Sequence, residues 1–225
     1  VACYSENNLP VVGKMRTAIG REMSWLRMER YIEGKGDDYE TRFTPMLCQQ
    51  CGNAGCETVC PVYATYHNPE GLNAMVYNRC VGTRYCSNNC AYKVRRFNWF
   101  DYEFQSPLDQ QLNSTITTRE VGVMEKCTFC VQRINNAKYD ANNLGRDLED
   151  GEVMTACQQT CATKAITFGN LMDPESQVSK QALRNDQENR DRQYEVLAEL
   201  NYKPAITYLK KVNTRDVDDH DSGHH

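Results

Sequence analysis

Polar residues break up the apolar ones throughout this chain. No apolar run approaches the length needed to cross a bilayer. ATY and LNAMVY flank the turn signal HNPEG, which predicts a β-hairpin over residues 64–77, with His67 a surface residue beside the turn. VGVMEKC (121–127) and AITFG (165–169) predict a second set of strands. ETVCP and MTACQQTC predict short helices whose backbone N–H groups point toward sulfur. Residues 91–120 open with AYKVRRFNWFDYEF, aromatic and basic, and suit a strand or a partner surface. Residues 131–152 carry INNAKYDANNLGRDLEDG, a helix followed by a loop. Both stretches look inserted. From Asp173 the chain turns strongly polar. Val178, Leu183, Tyr194, Leu197 and Leu200 suit helices docking on partners, and the acidic end RDVDDHDSGHH suits a disordered tail. The expected organisation is α+β: a cluster-binding domain over 1–172 and a polar helical or extended tail over 173–225.

Composition sharpens this picture. Only 40% of the 225 residues are hydrophobic, and that share includes 12 cysteines. So thin an apolar supply implies that something besides side-chain burial holds the fold. A net charge of −4 offers no basic surface for nucleic acid. The run Lys93, Arg95, Arg96 is expected to be a solvated or phosphate-facing patch. Arg84 and Tyr85 are expected to be structural. No targeting segment is visible, and the chain opens VACYSENN without an initiator methionine. There is no phosphate loop, nucleophile elbow or paired-carboxylate signature, hence no candidate catalytic residue.

The chemistry lies in the cysteines. Cys48, Cys51, Cys56 and Cys60 form CQQCGNAGCETVCP, a C-x2-C-x4-C-x3-C-P motif. Cys80, Cys86 and Cys90 form CVGTRYCSNNC, with Thr83 where a ferredoxin loop has its second cysteine. Cys127 and Cys130 form CTFC, Cys157 and Cys161 form CQQTC, and Cys3 stands alone. Zinc sites pair two short hooks around one ion, whereas ferredoxin motifs lend their last cysteine to the other cluster of a pair. Paired in that way, Cys48, Cys51, Cys56 and Cys90 make one site. Cys60, Cys80 and Cys86 make a second with three thiolates. Cys127, Cys130 and Cys157 make a third, with Cys3 available as its fourth ligand. Cys161 then belongs to a site whose other ligands lie before Val1, so the sequence is expected to be a piece of a longer polypeptide. Structural zinc and a disulfide framework are the competing explanations of the same cysteines. Two interleaved bacterial-ferredoxin-like units are the expected fold.

Beyond the cysteines, ENNLPVVGK, GREMSWLRMERYIEG, PVYATYHNPEGLNAMVYNRCVGTRYCSNNCAYKVRRFNWF and MEKCTFCVQRI resemble the iron–sulfur part of the B component of alternative complex III. That branch belongs to the molybdopterin-oxidoreductase iron–sulfur subunits, with the polysulfide, DMSO and tetrathionate reductases. The resemblance implies three [4Fe-4S] clusters and one [3Fe-4S] cluster, the latter at Cys60, Cys80 and Cys86. Threonine is a hard, protonated substitute for thiolate and leaves one iron without an anchor; a labile [4Fe-4S] cluster holding a water or hydroxyl ligand is the alternative there. It implies a relay of electrons from quinol toward cytochrome c on the periplasmic face of the membrane. The implied partners are a molybdopterin-oxidoreductase-like domain, a polytopic quinol-binding subunit, and multihaem and monohaem cytochromes c. The small subunit of a molybdenum reductase is the nearest alternative, and a structural zinc module a more distant one. One departure is Ala162, where many relatives have proline after the cysteine.

Overall fold

The computed structural model describes residues 1–35, 38–182 and 192–212. Leu183 and the acidic end 215–225 lie outside them. The elements are short: α1 (Ala2–Glu6), α2 (Gly13–Ala18), β1 (Arg27–Lys35), β2 (Asp38–Met46), α3 (Gly55–Thr58), β3 (Thr65–His67), β4 (Asn73–Met75), α4 (Tyr85–Asn89), β5 (Arg96–Phe97), β6 (Met124–Glu125), α5 (Val131–Asn143), α6 (Ala156–Thr160), α7 (Gln177–Ala182), β7 (Gln193–Tyr194) and β8 (Tyr208–Leu209). Among the described residues, strands pair only as antiparallel two-stranded ribbons, β1 with β2, β3 with β4, β5 with β6 and β7 with β8. This is a mixed fold of small helices and ribbons around sulfur-lined loops.

The HNPEG hairpin forms as its sequence demands. Thr65 faces Met75 and His67 faces Asn73. The Asn68 side-chain oxygen accepts from the N–H groups of Glu70 (3.1 Å) and Leu72 (2.8 Å), the local turn that asparagine favours. His67 Nδ1 meets Glu57 Oε1 at 2.7 Å, tying the hairpin to α3. Short helices form in ETVCP and MTACQQTC, and α5 opens the 131–152 segment.

Two expectations need correcting. Residues 165–169 form no strand. The Ala165 N–H turns to Cys161 Sγ (3.3 Å), and Phe168 packs edge-on against Phe129 (5.4 Å between centroids). The strand within 121–127 takes its partner from the aromatic stretch instead: Arg96 faces Glu125 and Phe97 faces Met124. Nor is the 93–96 run a solvated patch throughout: Lys93 is exposed, but the two arginines are not. Arg95 is 3% exposed, and Arg96 is pinned to Glu22 (2.7 Å) and to the Ser24 carbonyl (3.2 Å).

The longest ribbon, β1–β2, is not among the expected elements. Its turn signal is GKGDD, and its alternation places Met28, Ile32, Tyr39 and Phe43 on one face. All four are more than half exposed. The core lies beyond its end, where Met46, Cys48, Cys51, Ala54, Cys90, Tyr92 and Val94 are buried together. Residues 201–208 lie against this core. Gly52 N–H donates to Lys203 O (2.8 Å), Asn53 N–H to Tyr202 O (3.0 Å) and Ala205 N–H to Gln49 O (2.8 Å). Tyr208 completes the attachment, its hydroxyl donating to Pro45 O (2.8 Å) and accepting from Gln49 Nε2 (3.0 Å).

Candidate cluster sites

No disulfide joins any of the 12 cysteines. Four of them, Cys48, Cys51, Cys56 and Cys90, line one cavity with Ala54, Tyr92, Val94, Arg95 and Tyr202. Cys48 and Cys51 come from the loop after β2, Cys56 from α3, and Cys90 from the residue closing α4. Burial pushes the Cys51 thiol up to about 12, and the charges of Cys48, Cys56 and Cys90 push the same way. These four sulfurs therefore feel one another across a shared space.

A second cavity is lined by Cys60, Cys80, Cys86 and Thr83, with Ala64, Met75 and Met124 among the walls. Burial acts to raise the Cys60 thiol. The N–H groups of Ala64, Val62 and Thr65, with the Arg95 charge, outweigh it and bring the group below its usual value. Ala64 N–H is 3.2 Å from Cys60 Sγ, and Met124 N–H is 3.4 Å from Cys80 Sγ. Thr83 is exposed between two left-handed residues, Gly82 (φ 73°) and Arg84 (φ 62°). Arg84 opens α4, and its guanidinium stacks over Phe97 (4.9 Å) and Trp99 (4.7 Å), consistent with a structural role.

Cys3, Cys127, Cys130 and Cys157 form a third set. Burial raises the Cys3 thiol to about 12, followed by the charges of Cys130 and Cys157. Burial also raises Cys127 well above its usual value, and Cys3 adds to this. The set brings α1 together with the start of α5 and with α6. Glu6 on α1 accepts from Arg133 (2.6 Å) and Gln132 (2.8 Å) on α5, which fixes the helix that carries Cys3. Ala156 N–H at the start of α6 meets Cys130 Sγ at 3.4 Å. Cys161 lines neither cavity. Its sulfur meets Thr163 Oγ1 (3.4 Å) and Ala165 N–H (3.3 Å), and those contacts hold its thiol below the usual value.

Two buried cations are not announced by the sequence. Arg95 Nη2 donates to Cys56 Sγ (3.1 Å) and Asn73 Oδ1 (2.8 Å), while Nη1 donates to Thr65 Oγ1 (3.1 Å). Lys126 is fully buried beside the third set and donates to Cys127 O (3.0 Å). A basic run says only that charge is present.

The donor set decides what these cavities suit. Thiols that raise one another's proton affinity ionise together only around strong positive charge, since thiolate ligation requires deprotonation. Among the described residues no group of three or more His, Cys, Asp or Glu side chains could hold a single metal ion. An iron–sulfur cluster presents its irons at separate corners, so thiols spread around a cavity fit it better than they fit one tetrahedral ion.

Comparison with known proteins agrees. Residues 39–106 match the 4Fe-4S dicluster domain family. The sequence is 37% identical over 221 residues to the menaquinone reductase iron–sulfur cluster-binding subunit of Nitratidesulfovibrio vulgaris, covering 94% of this chain and 82% of that protein. It is 33% identical over 212 residues to a putative dimethyl sulfoxide reductase iron–sulfur subunit of Halobacterium salinarum, covering 93% and 72%. A polysulfide reductase polypeptide of Wolinella succinogenes is 27% identical over 180 residues, covering 80% and 72%. With two alignments above 30% identity running over more than nine-tenths of its length, this protein belongs to the family of ferredoxin-like iron–sulfur cluster-binding electron-transfer subunits that serve such reductases.

Proposed function

We propose that this protein is the electron-relay subunit of a membrane quinol oxidoreductase of the alternative complex III type. The observation that carries the proposal is the grouping of eleven cysteines into three separate sets, two with four thiols and one with three thiols and Thr83. In this reading Cys48, Cys51, Cys56 and Cys90 hold one [4Fe-4S] cluster, and Cys3, Cys127, Cys130 and Cys157 hold another. Cys60, Cys80 and Cys86 hold a [3Fe-4S] cluster, with Thr83 at the position of the missing thiolate. Cys161, outside these three sets, is one ligand of a third [4Fe-4S] cluster. Bound clusters supply sites that accept and donate single electrons.

The chain's own residues hold those sites and wall them with apolar groups. Met75, Met124 and Ala64 wall the second cavity; Tyr92, Val94 and Tyr202 wall the first. Backbone N–H groups aimed at Cys60, Cys80, Cys127 and Cys130 stabilise negative charge on sulfur. Among the described residues no helix is long and apolar enough to cross a membrane, so membrane attachment would come through a polytopic quinol-binding subunit. The remaining partners in this reading are a molybdopterin-oxidoreductase-like domain and multihaem and monohaem cytochromes c on the periplasmic face.

Two kinds of relative support a second reading. The alignments with dimethyl sulfoxide and polysulfide reductase polypeptides favour a molybdenum reductase. The alignment with a menaquinone reductase subunit favours electron flow toward the quinone. Rapid reduction of the purified complex by a quinol analogue, followed by reoxidation with cytochrome c, supports the first reading. Reoxidation only by a sulfur or sulfoxide substrate supports the second. Electron paramagnetic resonance (EPR) of the oxidised protein should show a three-iron signal, and Thr83→Cys should abolish it while raising the iron content. A colourless, zinc-loaded protein would falsify both readings.

A further inference from the structure

One residue that no motif announces links the first two cavities: Arg95 lines the first and hydrogen-bonds to Thr65 and Met75, which line the second. It immediately precedes β5 and is 3% exposed. Its hydrogen-bond partners are sulfurs and neutral oxygens: Cys56 Sγ at 3.1 Å, Asn73 Oδ1 at 2.8 Å, Thr65 Oγ1 at 3.1 Å and Met75 Sδ at 3.9 Å. A guanidinium keeps its proton in any protein environment, so this is a permanent positive charge in the interior. A buried charge of that kind is costly unless anions face it. The groups its charge acts on most are Cys56 and Cys86, one from each cavity, followed by Cys48 and Cys90. It acts on Cys60 as well. The compensating anions are therefore the thiolates of two different sites.

We infer that Arg95 is a positioning residue shared by the first and second cluster sites, and that it raises the reduction potentials of both together. The inference rests on the assignment of iron–sulfur groups to these two cavities. Cluster potentials follow net charge and hydrogen bonds to sulfur. Reduction adds one electron at a site and no proton, because the guanidinium is already protonated. Each added electron is met by the same fixed charge, which favours the reduced form of both groups. Cys56 accepts at 3.1 Å and feels the charge most, and Cys86, which Arg95 also reaches, comes next, so the first site responds more strongly than the second. The third set, around Cys3, Cys127, Cys130 and Cys157, receives no hydrogen bond from Arg95.

The test is a dithionite titration followed by EPR, on the full-length protein purified with its natural partners. Iron and acid-labile sulfide content of the unsubstituted protein checks the cluster assignment separately. Arg95→Gln keeps a donor and removes the charge. It should lower the equilibrium constant for reduction about tenfold at the first site, a fall of about 59 mV for a one-electron couple, and less at the second. The third site should stay in place. Arg95→Lys restores the charge and should recover most of the shift at both sites. A shift confined to one cavity, or an equal shift at the third site, overturns the inference. So does loss of iron from both variants, which would make Arg95 purely architectural, or an Arg95→Gln protein with full iron and unmoved potentials.

Discussion

Gly82→Ala tests whether the exposed loop around Thr83 is built to a single shape. Gly82 has φ 73°, and a Cβ there would lie 2.5 Å from Gly122 O and 3.1 Å from Phe97 Cε2. The Gly122 carbonyl cannot simply withdraw. Gly122 N–H donates to Asn98 O (2.8 Å) and Asn98 N–H to Val123 O (2.9 Å), extending the β5–β6 ribbon. The left-handed conformation costs alanine about 1–2 kcal/mol, and the overlap adds about 1–3 kcal/mol. Together they give about 2–5 kcal/mol. At 1.4 kcal/mol per decade, the native loop shape is disfavoured by about thirtyfold to several thousandfold. Gly71→Ala is the internal control. Its φ is 81°, but nothing stands within 4 Å of an added Cβ. Only the conformational cost of about 1–2 kcal/mol applies there. Purified variants would be assayed for iron, for the EPR signal of the second site, and for the rate of bleaching in moderate urea. The expected result is selective loss of the second site's signal in Gly82→Ala, with Gly71→Ala close to the unsubstituted protein. Equal signals in the two variants would refute the reasoning from loop geometry.

Glu125 is 1% exposed at its side chain and pairs with Arg119 Nε at 3.0 Å, also accepting from Trp25 Nε1 at 3.1 Å. Glu125→Gln should cost about 3–5 kcal/mol by stranding a buried guanidinium. A joint Glu125→Leu, Arg119→Met replacement should recover much of that loss in thermal bleaching curves; no recovery contradicts the pairing. Burial acts to raise the Glu6 carboxyl, but its bonds to Arg133 and Gln132 prevail and hold it below 4.5. Its contribution, about 1–2 kcal/mol, is fully present above pH 4.5 and lost as pH falls through the lowered folded value. The advantage of the unsubstituted protein over Glu6→Gln should therefore shrink on acidification below pH 4.5, and a constant gap would count against it. Tyr202→Ala removes an aromatic edge 6.2 Å from Tyr92 and a hydrogen bond to Asn89 O (3.2 Å). Chelator or oxygen should then bleach the first site faster than the third; unchanged rates would show that residues 201–208 do not shield it.

Much of the cluster architecture is legible in the sequence because cysteine spacing is a local code. Cys48, Cys51 and Cys56 sit on one loop and helix, and the hairpin after Cys60 carries its own turn residues. The rest depends on contacts that spacing does not encode. Arg95 sits in a run of three basic residues, and its sulfur partner is 39 positions away. The segment 121–127 contains the strand its pattern implies, but that strand pairs with 96–97 and not with 165–169. Short segments of similar pattern do not specify which of them pair, and here Asn98 and Gly122 settle the match through backbone bonds. The β1–β2 ribbon keeps its large apolar side chains exposed, so its alternation resembles an ordinary polar surface until the register is known.

The attachment of residues 201–208 over the first cavity also has a consequence in time. Gln49 and Tyr208, joined by a hydrogen bond, are 159 positions apart. Translation at about 5–20 residues per second separates their emergence by on the order of ten seconds. For that interval the loop bearing Cys48, Cys51 and Cys56 exists without its cover. On the proposed cluster assignment, iron and sulfide would reach this site most easily during that window. Once Gly52, Asn53 and Gln49 are engaged, the backbone of residues 202–205 lies against that loop.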